Sequence, residues 1–206
     1  APHTIYFSQA SDPTVWSGRG TGSLEIDVDD GDPNGITAIF PSFFGELYVA
    51  KRNSIYQITG NTPYNFQVIP LIRALGCIDH NTAAAVQNDI IFASERGIHS
   101  LVSTKRGSGI ETEMLSFPVK DLWNSEVNAG QSKRMWGFFS YIYNSYFFLY
   151  PSGNNTFPNN CLVFNVPTKS WFRWPDYNVS SMTEITTSGT RKLLVGINDG
   201  IIGKVN

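Results

Sequence analysis

A ten-residue pattern of apolar and polar positions occurs three times in the chain. Each copy begins with a charged residue and three apolar residues, continues through a small residue and a polar turn, and ends at an isoleucine. The copies cover residues 46–55, 89–98 and 192–201. An apolar, β-branched run followed by a turn of Asn, Asp, Gly and basic residues is typical of a β-hairpin. The pattern therefore predicts three equivalent hairpins.

The first strand of each predicted hairpin is apolar at consecutive positions rather than at alternate ones. The three runs are 47–49, 90–92 and 193–195. Consecutive apolar residues indicate a strand that is covered on both faces. A fourth copy of the pattern covers 146–150 and resumes at 161–164, and the insert 151–160 between its halves is rich in Pro, Ser, Gly and Asn. This composition predicts a surface loop.

Further short strands are predicted around the hairpins. Four precede them, at 36–40, 82–86, 137–143 and 182–187, and three follow them, at 66–69, 111–117 and 170–174. The hairpins begin at 46, 89, 146 and 192. Antiparallel sheets of three or four strands at this spacing fit the blades of a β-propeller, whereas the rungs of a β-solenoid are shorter. The predicted fold class is all-β, a β-propeller of about four blades, either closed or an arc of a larger propeller, with one short helix.

The repeat also predicts the domain organisation. We expect a single propeller-like domain over 1–206, with blade-like units at approximately 36–75, 82–130, 135–180 and 182–206. The last unit has three predicted strands, so the predicted strand at 4–8 is a candidate to complete it. A helix is predicted with Pro118 in its first turn and Gly130 beyond its end, and its apolar face consists of Val119, Leu122, Trp123 and Val127. Residues 70–76 are a candidate for one further helical turn ended by glycine.

Composition and charge limit the possible partners. The chain has 15 basic and 17 acidic residues, a formal net charge of -2, so no overall field attracts nucleic acid or an anionic membrane. No segment approaches the roughly 18 consecutive apolar residues of a membrane span, and none is predicted. Cys77 and Cys161 belong to no paired-cysteine motif and are predicted to be free thiols.

Few residues in the chain indicate catalysis or metal binding. No G-x-S-x-G, H-E-x-x-H or phosphate-binding glycine loop occurs. Cys77 and His80 form a lone C-x-x-H, a poor zinc candidate without further ligands. His99 lies in a predicted strand and is interpreted as a structural residue. We therefore predict no catalytic residue, no cofactor and no metal site, and a protein that is not an enzyme.

The acidic stretch at 27–33 provides the first candidates for an interface. It departs from the EF-hand pattern, because its glycine, Gly31, is fifth rather than sixth and no glutamate follows at position twelve. It is therefore interpreted as a solvated or interface loop. The predicted interface residues are those of this stretch and two asparagines of the insert: Asp27, Asp29, Asp30, Asp32, Asn154 and Asn155.

Basic and aromatic residues raise two further possibilities. Basic residues occur in pairs at 51–52, 105–106, 133–134 and 191–192. A phosphate-binding rim needs such residues on one face, but the repeat divides these pairs between two rims, so no single basic face is predicted. Trp171 and Trp174 are of a type that stacks on sugars or bases, although their position at the end of a blade favours packing against a neighbour.

The order of several short segments resembles a known group of proteins. These are the propeller-type structural proteins of tailed-phage virions, the tail hub, nozzle or tail-tube proteins below the portal of short-tailed phages. The segments that carry the resemblance are 6–16, 30–33, 35–40, 46–51, 54–60, 75–77 and 96–98.

The resemblance implies a non-enzymatic virion component. It implies a homo-oligomeric ring that contacts other tail and portal-adaptor proteins, assembles in the host cytoplasm, and forms part of the conduit for DNA ejection. DNA is expected to pass through the ring without tight binding. A mildly acidic chain suits this role, because many phosphate contacts would retain the passing polymer.

Two other functions remain open at this stage. One is a carbohydrate-binding or carbohydrate-cleaving β-propeller, suggested by Trp171, Trp174 and Tyr177 and by the turn at 11–16, which loosely resembles an Asp-box. That turn lacks the expected glycine between Asp12 and Trp16, and no other blade repeats it. The other is a propeller scaffold for protein partners, whose repeated surface motifs do not occur in this sequence.

Overall fold

The computed structural model of the protein describes residues 2–27, 31–43, 46–101 and 114–205, and of residues 41–43 it describes the backbone. The structure is mostly β, with 48% strand and 11% helical residues, and it consists of several small antiparallel sheets and one short α-helix in the described part. The prediction of an all-β fold with one short helix is confirmed at this level. The chain divides into two compact units, Ala1–Cys77 and Ile78–Asn206. The predicted single propeller domain over 1–206 stays a prediction.

The first unit contains a two-stranded ribbon and a four-stranded antiparallel sheet. The ribbon pairs β1 (Thr4–Phe7) with β2 (Gly22–Glu25). The sheet, sheet I, follows chain order: β3 (Ala38–Phe43), β4 (Glu46–Ala50), β5 (Ser54–Thr59) and β6 (Gln67–Arg73). Its core is a cluster of buried apolar residues around Val49 and Tyr56, and Ile26 beyond the end of β2 packs into it.

The second unit contains three antiparallel sheets, each again in chain order. Sheet II is β7 (Ala84–Val86), β8 (Asp89–Ser94) and β9 (Gly97–Ser100). Sheet III is β10 (Trp136–Ser140), β11 (Ser145–Tyr150), β12 (Asn160–Asn165) and β13 (Ser170–Trp174). Sheet IV is β14 (Val179–Thr187), β15 (Thr190–Ile197) and β16 (Ile202–Lys204).

The second unit contains four described helical segments, one before sheet II and three between sheets II and III. They are the α-helix α1 (Lys120–Glu126) and three 3₁₀ segments, His80–Thr82, Phe117–Val119 and Ala129–Arg134. Pro118 lies in the 3₁₀ turn that leads into α1, and Trp123 is buried in the helix, as the sequence predicts. None of the described helices has the length and apolar character that crossing a bilayer requires.

The repeated pattern forms hairpins in all four places. The first three copies are β4–β5, β8–β9 and β15–β16, and the fourth is β11–β12. In the fourth, Tyr150 pairs with Asn160 across the base of the insert. Residues 153–157 of the insert are exposed, as predicted for a surface loop, whereas Pro151 and Pro158 at its base are buried.

Sheet III is covered on both faces because its strands point successive side chains in opposite directions. Tyr146 and Phe148 of β11 enter a core shared with sheet II, where Phe148 stacks on Trp123 of α1 at 5.2 Å. Phe147 and Leu149 enter a second core, shared with sheet IV. β11 is therefore covered on both faces. The prediction of such a strand at 90–92 is confirmed, because β8 is buried along almost its whole length.

The same prediction is wrong for β15. Leu193 and Val195 are buried in the core with sheet III, but Leu194 between them is only half-buried. Within the described residues of this unit, no further sheet follows sheet IV, so its second face lacks the neighbour that would bury Leu194.

Three predicted segments differ from the structure. Residues 70–76 form no helical turn, because Pro70 lies in β6, an edge strand, where a missing N–H is tolerated. The strand predicted at 4–8 pairs with β2 and does not complete sheet IV, since residues 22–25 are nearer in the chain and offer an antiparallel partner. Of the strand predicted at 111–117, residues 111–113 lie outside the described part and Met114 forms an isolated bridge with His99.

The first strands of the three sheets in the second unit lie side by side. β10 contacts β7 of sheet II and β14 of sheet IV. Its side chains alternate between the two cores, with Phe139 packed towards sheet II and Phe138 towards sheet IV. β13, the last strand of sheet III, is mostly exposed. Burial within sheet III therefore decreases from its middle strands to its last strand.

Candidate functional site

Asp32 is an internal structural residue of the first unit rather than part of an exposed interface. Its side chain is buried. Oδ1 accepts hydrogen bonds from the backbone and side-chain amides of Asn34 at 3.0 and 2.8 Å, and Oδ2 accepts one from the backbone N–H of Asn53 at 2.8 Å. The prediction that Asp32 belongs to a surface is therefore wrong, because the carboxylate fixes the turn between β4 and β5.

Asp27 combines a structural backbone with an accessible side chain. Its φ is 25°, and its carbonyl oxygen accepts a hydrogen bond from Lys51 Nζ at 2.7 Å. Its carboxylate lies 3.7 Å from the guanidinium of Arg73, an exposed ion pair that contributes little to stability. Asp29 and Asp30, the other predicted interface residues of this stretch, lie outside the described residues.

The two asparagines of the insert remain interface candidates. Asn154 and Asn155 are exposed. The side-chain amide of Asn155 donates to the carbonyl of Ser152 at 2.8 Å, and Asn159 accepts from the backbone N–H of Ser152 at 2.8 Å. These local bonds stabilise the loop while leaving Asn154 on the surface.

The tryptophans of β13 pack against their own unit. Trp171 lies 4.9 Å from the ring of Phe164 and donates its indole N–H to the carbonyl of Leu115 at 2.9 Å. Trp174 makes edge-to-face contacts with Phe147 at 5.4 Å and Tyr177 at 5.3 Å. Their position at the end of a repeat favours packing over an open sugar-binding platform. The ring contacts and the indole hydrogen bond agree with that interpretation.

His99 is buried without a hydrogen-bond partner. Its ring stacks on Phe92 at 5.9 Å, and neither imidazole nitrogen finds a partner among the described residues. Burial first, and the charge of Arg96 second, lower the pKa of His99 from its usual 6.5 to about 4. The imidazole is therefore neutral at pH 7 and acts as a structural ring. Among the described residues, no acidic or basic group forms a hydrogen bond with it, as a catalytic pair would.

We expect the second unit to lose stability as the pH falls from about 6.5 to about 4. Above this window His99 is neutral in both the folded and the unfolded state; within it the unfolded chain takes up the proton first, so folding is penalised. The difference between the two pKa values corresponds to a loss of about 3 kcal/mol in the free energy of unfolding at the acid end of this range.

Urea unfolding at several pH values measures this loss of stability. His99→Phe should remove this part of the acid sensitivity, whereas His80→Gln, at an exposed histidine, should retain it. Equal pH profiles for wild type and His99→Phe would contradict the assignment.

The two cysteines are free, as predicted, and both are buried. Burial raises the pKa of the Cys161 thiol far above its usual range, so this thiol is not nucleophilic at neutral pH. Within residues 2–27, 31–43, 46–101 and 114–205, no group of three or more His, Cys, Asp or Glu side chains is placed to hold a metal ion.

The three basic pairs among the described residues have different surroundings. Lys51 is fully buried and donates to the Asp27 carbonyl, so it is not a surface cation. The pair at 105–106 lies outside the described residues. Arg191 lies over the ring of Tyr141 at 5.0 Å, with its guanidinium 3.8 Å from the carboxylate of Glu184. Lys133 and Arg134 differ from these, because they line a cavity in the second unit without a carboxylate beside them.

That cavity, which we name the basic pocket, has a volume of about 250 Å³. Five chain segments form it, which is why the sequence indicates the basic pair but not the site. The residues used below are Asn81, Lys133, Arg134, Trp136, Phe157 and Asn198.

The second face of sheet IV is a candidate interaction surface, which we name the open face. The strand register places Ile185, Leu194 and Ile202 on this face together with Ser181, Thr183 and Lys204. Ile185 and Ile202 are 40% and 76% exposed. Such exposure of large aliphatic side chains on a regular sheet is typical of a surface that contacts another chain or sheet.

No protein-family model matches the sequence, and no curated protein matches it either.

Proposed function

We propose that this protein is a structural component of a bacteriophage tail, a subunit of the hub or nozzle ring that surrounds the DNA conduit. In this proposal the three sheets of the second unit are consecutive blades of a β-propeller. The role is non-enzymatic, and the ring is located in the virion after assembly in the host cytoplasm. The order of short sequence segments that resembles propeller-type tail proteins supports this assignment.

The observation that carries the proposal is the arrangement of β7, β10 and β14. In a propeller the first strands of successive blades lie next to one another around the centre, and the last strands lie at the periphery. β10 contacts both β7 and β14, whereas β13 is exposed. Sheet III has one core on each face, shared with the sheet before it and the sheet after it in the chain. Successive sheets stacked face to face in chain order are what blades require.

The open face supports association into a ring. A sheet with one buried face and exposed isoleucines on the other gains free energy when a second surface covers those side chains. In the proposed ring this surface belongs to a neighbouring copy of the chain. Each copy then continues the stack of sheets that its own chain begins.

The first experiment examines the assembly directly. Particles of the phage that encodes the chain are purified and labelled with an antibody against it, and the purified protein is imaged by electron microscopy. We expect labelling where the tail joins the capsid and a symmetric ring with an axial channel. Absence of the chain from purified particles would contradict the proposal.

A matched pair of variants tests the open face. Ile185→Lys with Ile202→Lys places two charges on it, and we expect these to abolish ring formation at concentrations where wild type associates, with little change in thermal unfolding. Phe172→Lys, at a 54% exposed residue of β13, is the control and should still associate. Light scattering coupled to size-exclusion chromatography measures the mass. A ring that persists in the double variant would exclude this face from the interface.

A further inference from the structure

Lys133 and Arg134 are exposed cations without an anionic partner. Neither makes a hydrogen bond or an ion pair with another described residue. The 3₁₀ segment Ala129–Arg134 ends with these two residues, and cations are favourable near the carbonyl end of a helical segment. This local effect explains their residue type, but it does not explain the cavity that they line.

The guanidinium of Arg134 is held in place by an aromatic ring. It lies over Phe157 of the insert, with 4.8 Å between the guanidinium carbon and the ring centroid. A cation–π contact of this kind uses the face of the guanidinium and leaves the N–H groups in its plane available to a ligand. Phe157, which is 46% exposed, therefore orients Arg134 rather than contributing to a core.

Trp136 forms part of the wall of the same pocket. Its indole Nε1 is inaccessible to solvent and has no hydrogen-bond partner among the described residues, so the ring shapes the pocket rather than donating into it. The side-chain amide of Asn81 also makes no hydrogen bond with a described residue, while that of Asn198 donates to the Pro158 carbonyl at 2.9 Å.

The charges of the pocket determine the class of ligand. None of the described residues that line it is acidic, whereas two are cationic and the side-chain amide of Asn81 offers further N–H donors. Its volume of about 250 Å³ lies below the usual range of drug-sized sites, which favours a small polar group. Oxyanions satisfy several N–H donors at once, and charge-assisted hydrogen bonds to them are the stronger kind.

We infer that the basic pocket binds a phosphate group through Lys133 and Arg134. This inference goes beyond the proposed ring and does not rest on it, because the pocket is formed within one copy of the chain and needs no neighbouring copy. The phosphate comes either from a small phosphate compound or from the backbone of DNA. One pocket that neutralises about one phosphate adds only a weak salt-dependent attraction, so it is compatible with a conduit that does not retain DNA.

The experiment is a titration of the full chain with inorganic phosphate at pH 7 and constant ionic strength, followed by NMR of the indole N–H groups. The chain has 5 tryptophans, and Trp136→Phe assigns the resonance of interest. We expect a saturable shift of the Trp136 indole resonance with a dissociation constant of about 1 mM. Lys133→Gln with Arg134→Gln should weaken binding about tenfold or more. Arg19→Gln with Lys169→Gln makes the same change in net charge at residues outside the pocket and should bind as wild type does.

Three outcomes decide the inference and the source of the phosphate. Absence of a saturable shift at about 50 mM phosphate, or equal weakening by both double variants, would overturn the site. A shift caused by inorganic phosphate but not by a short DNA duplex assigns the pocket to small phosphate compounds. A shift by the duplex that the Lys133→Gln, Arg134→Gln variant loses assigns it to DNA. Ring formation is measured separately, so failure of the pocket and failure of the proposed function are distinguishable.

Discussion

Phe92→Asp is expected to prevent the protein from folding. Phe92 is fully buried in β8, and its ring stacks on His99. Loss of a buried phenylalanine alone costs about 3–5 kcal/mol, and a carboxylate without a partner in an apolar core adds several more. The whole stability of a domain is about 5–15 kcal/mol. The variant should therefore be insoluble or unfolded, and we expect the same of Val49→Asp, at a fully buried position of sheet I.

Soluble yield, far-ultraviolet circular dichroism and thermal unfolding measure this effect. Ile202→Asp is the control, because Ile202 is 76% exposed on the open face and its replacement removes little buried surface. It should unfold at nearly the wild-type temperature. A soluble Phe92→Asp variant that unfolds as wild type does would mean that β8 is not covered on both faces.

The sequence predicts the hairpins well because their signal is local. Three apolar residues, a polar turn and an isoleucine fix both the strands and the connection between them, and β4–β5, β8–β9 and β11–β12 follow. The same local signal wrongly predicts that β15 is covered on both faces. An apolar residue such as Leu194 indicates that a side chain prefers burial, not that a neighbour is present to bury it.

Pairings between distant segments are not encoded in any local pattern. β1 has the composition of a strand, but its partner β2 lies beyond a long glycine-containing loop, and nothing in residues 4–8 specifies that choice. The residues around Pro70 suggest the start of a helical turn. Pro70 instead lies in β6, whose edge position makes a proline acceptable in a strand.

Charged side chains were the hardest to place from sequence. The sequence predicts Asp32 and Lys51 to be surface residues, but both are buried. Each is compensated by hydrogen bonds to backbone groups distant in sequence, Asn53 for Asp32 and Asp27 for Lys51. The basic pocket is a similar case, since its cations are adjacent in sequence but Phe157, Asn81 and Asn198 come from other segments.

Gly137→Ala is expected to destabilise the second unit by about 4 kcal/mol, because overpacking and loss of a buried hydrogen bond add together. Gly137 lies in β10, where a Cβ atom would overlap the carbonyl oxygen of Thr82 and lie 2.5 Å from the hydroxyl oxygen of Tyr146. That hydroxyl donates to the same carbonyl at 2.6 Å. The methyl group cannot be accommodated by a side-chain rotation alone, since the nearest atom belongs to the backbone. The segment 80–82 and β10 must move apart, and the buried hydrogen bond is lost with them.

Thermal unfolding measures the change, and 4 kcal/mol corresponds to a decrease of about 8–16 °C in Tm for a chain of this length. Gly203→Ala is the matched control in β16, where the nearest atoms to a Cβ are side-chain carbons at 3.4 and 3.5 Å, an ordinary contact. Its Tm should stay within a few degrees of wild type. Equal Tm values for Gly137→Ala and wild type would mean that β10 does not approach the start of sheet II this closely. The side-by-side arrangement of first strands, on which the proposed ring subunit depends, would then be lost.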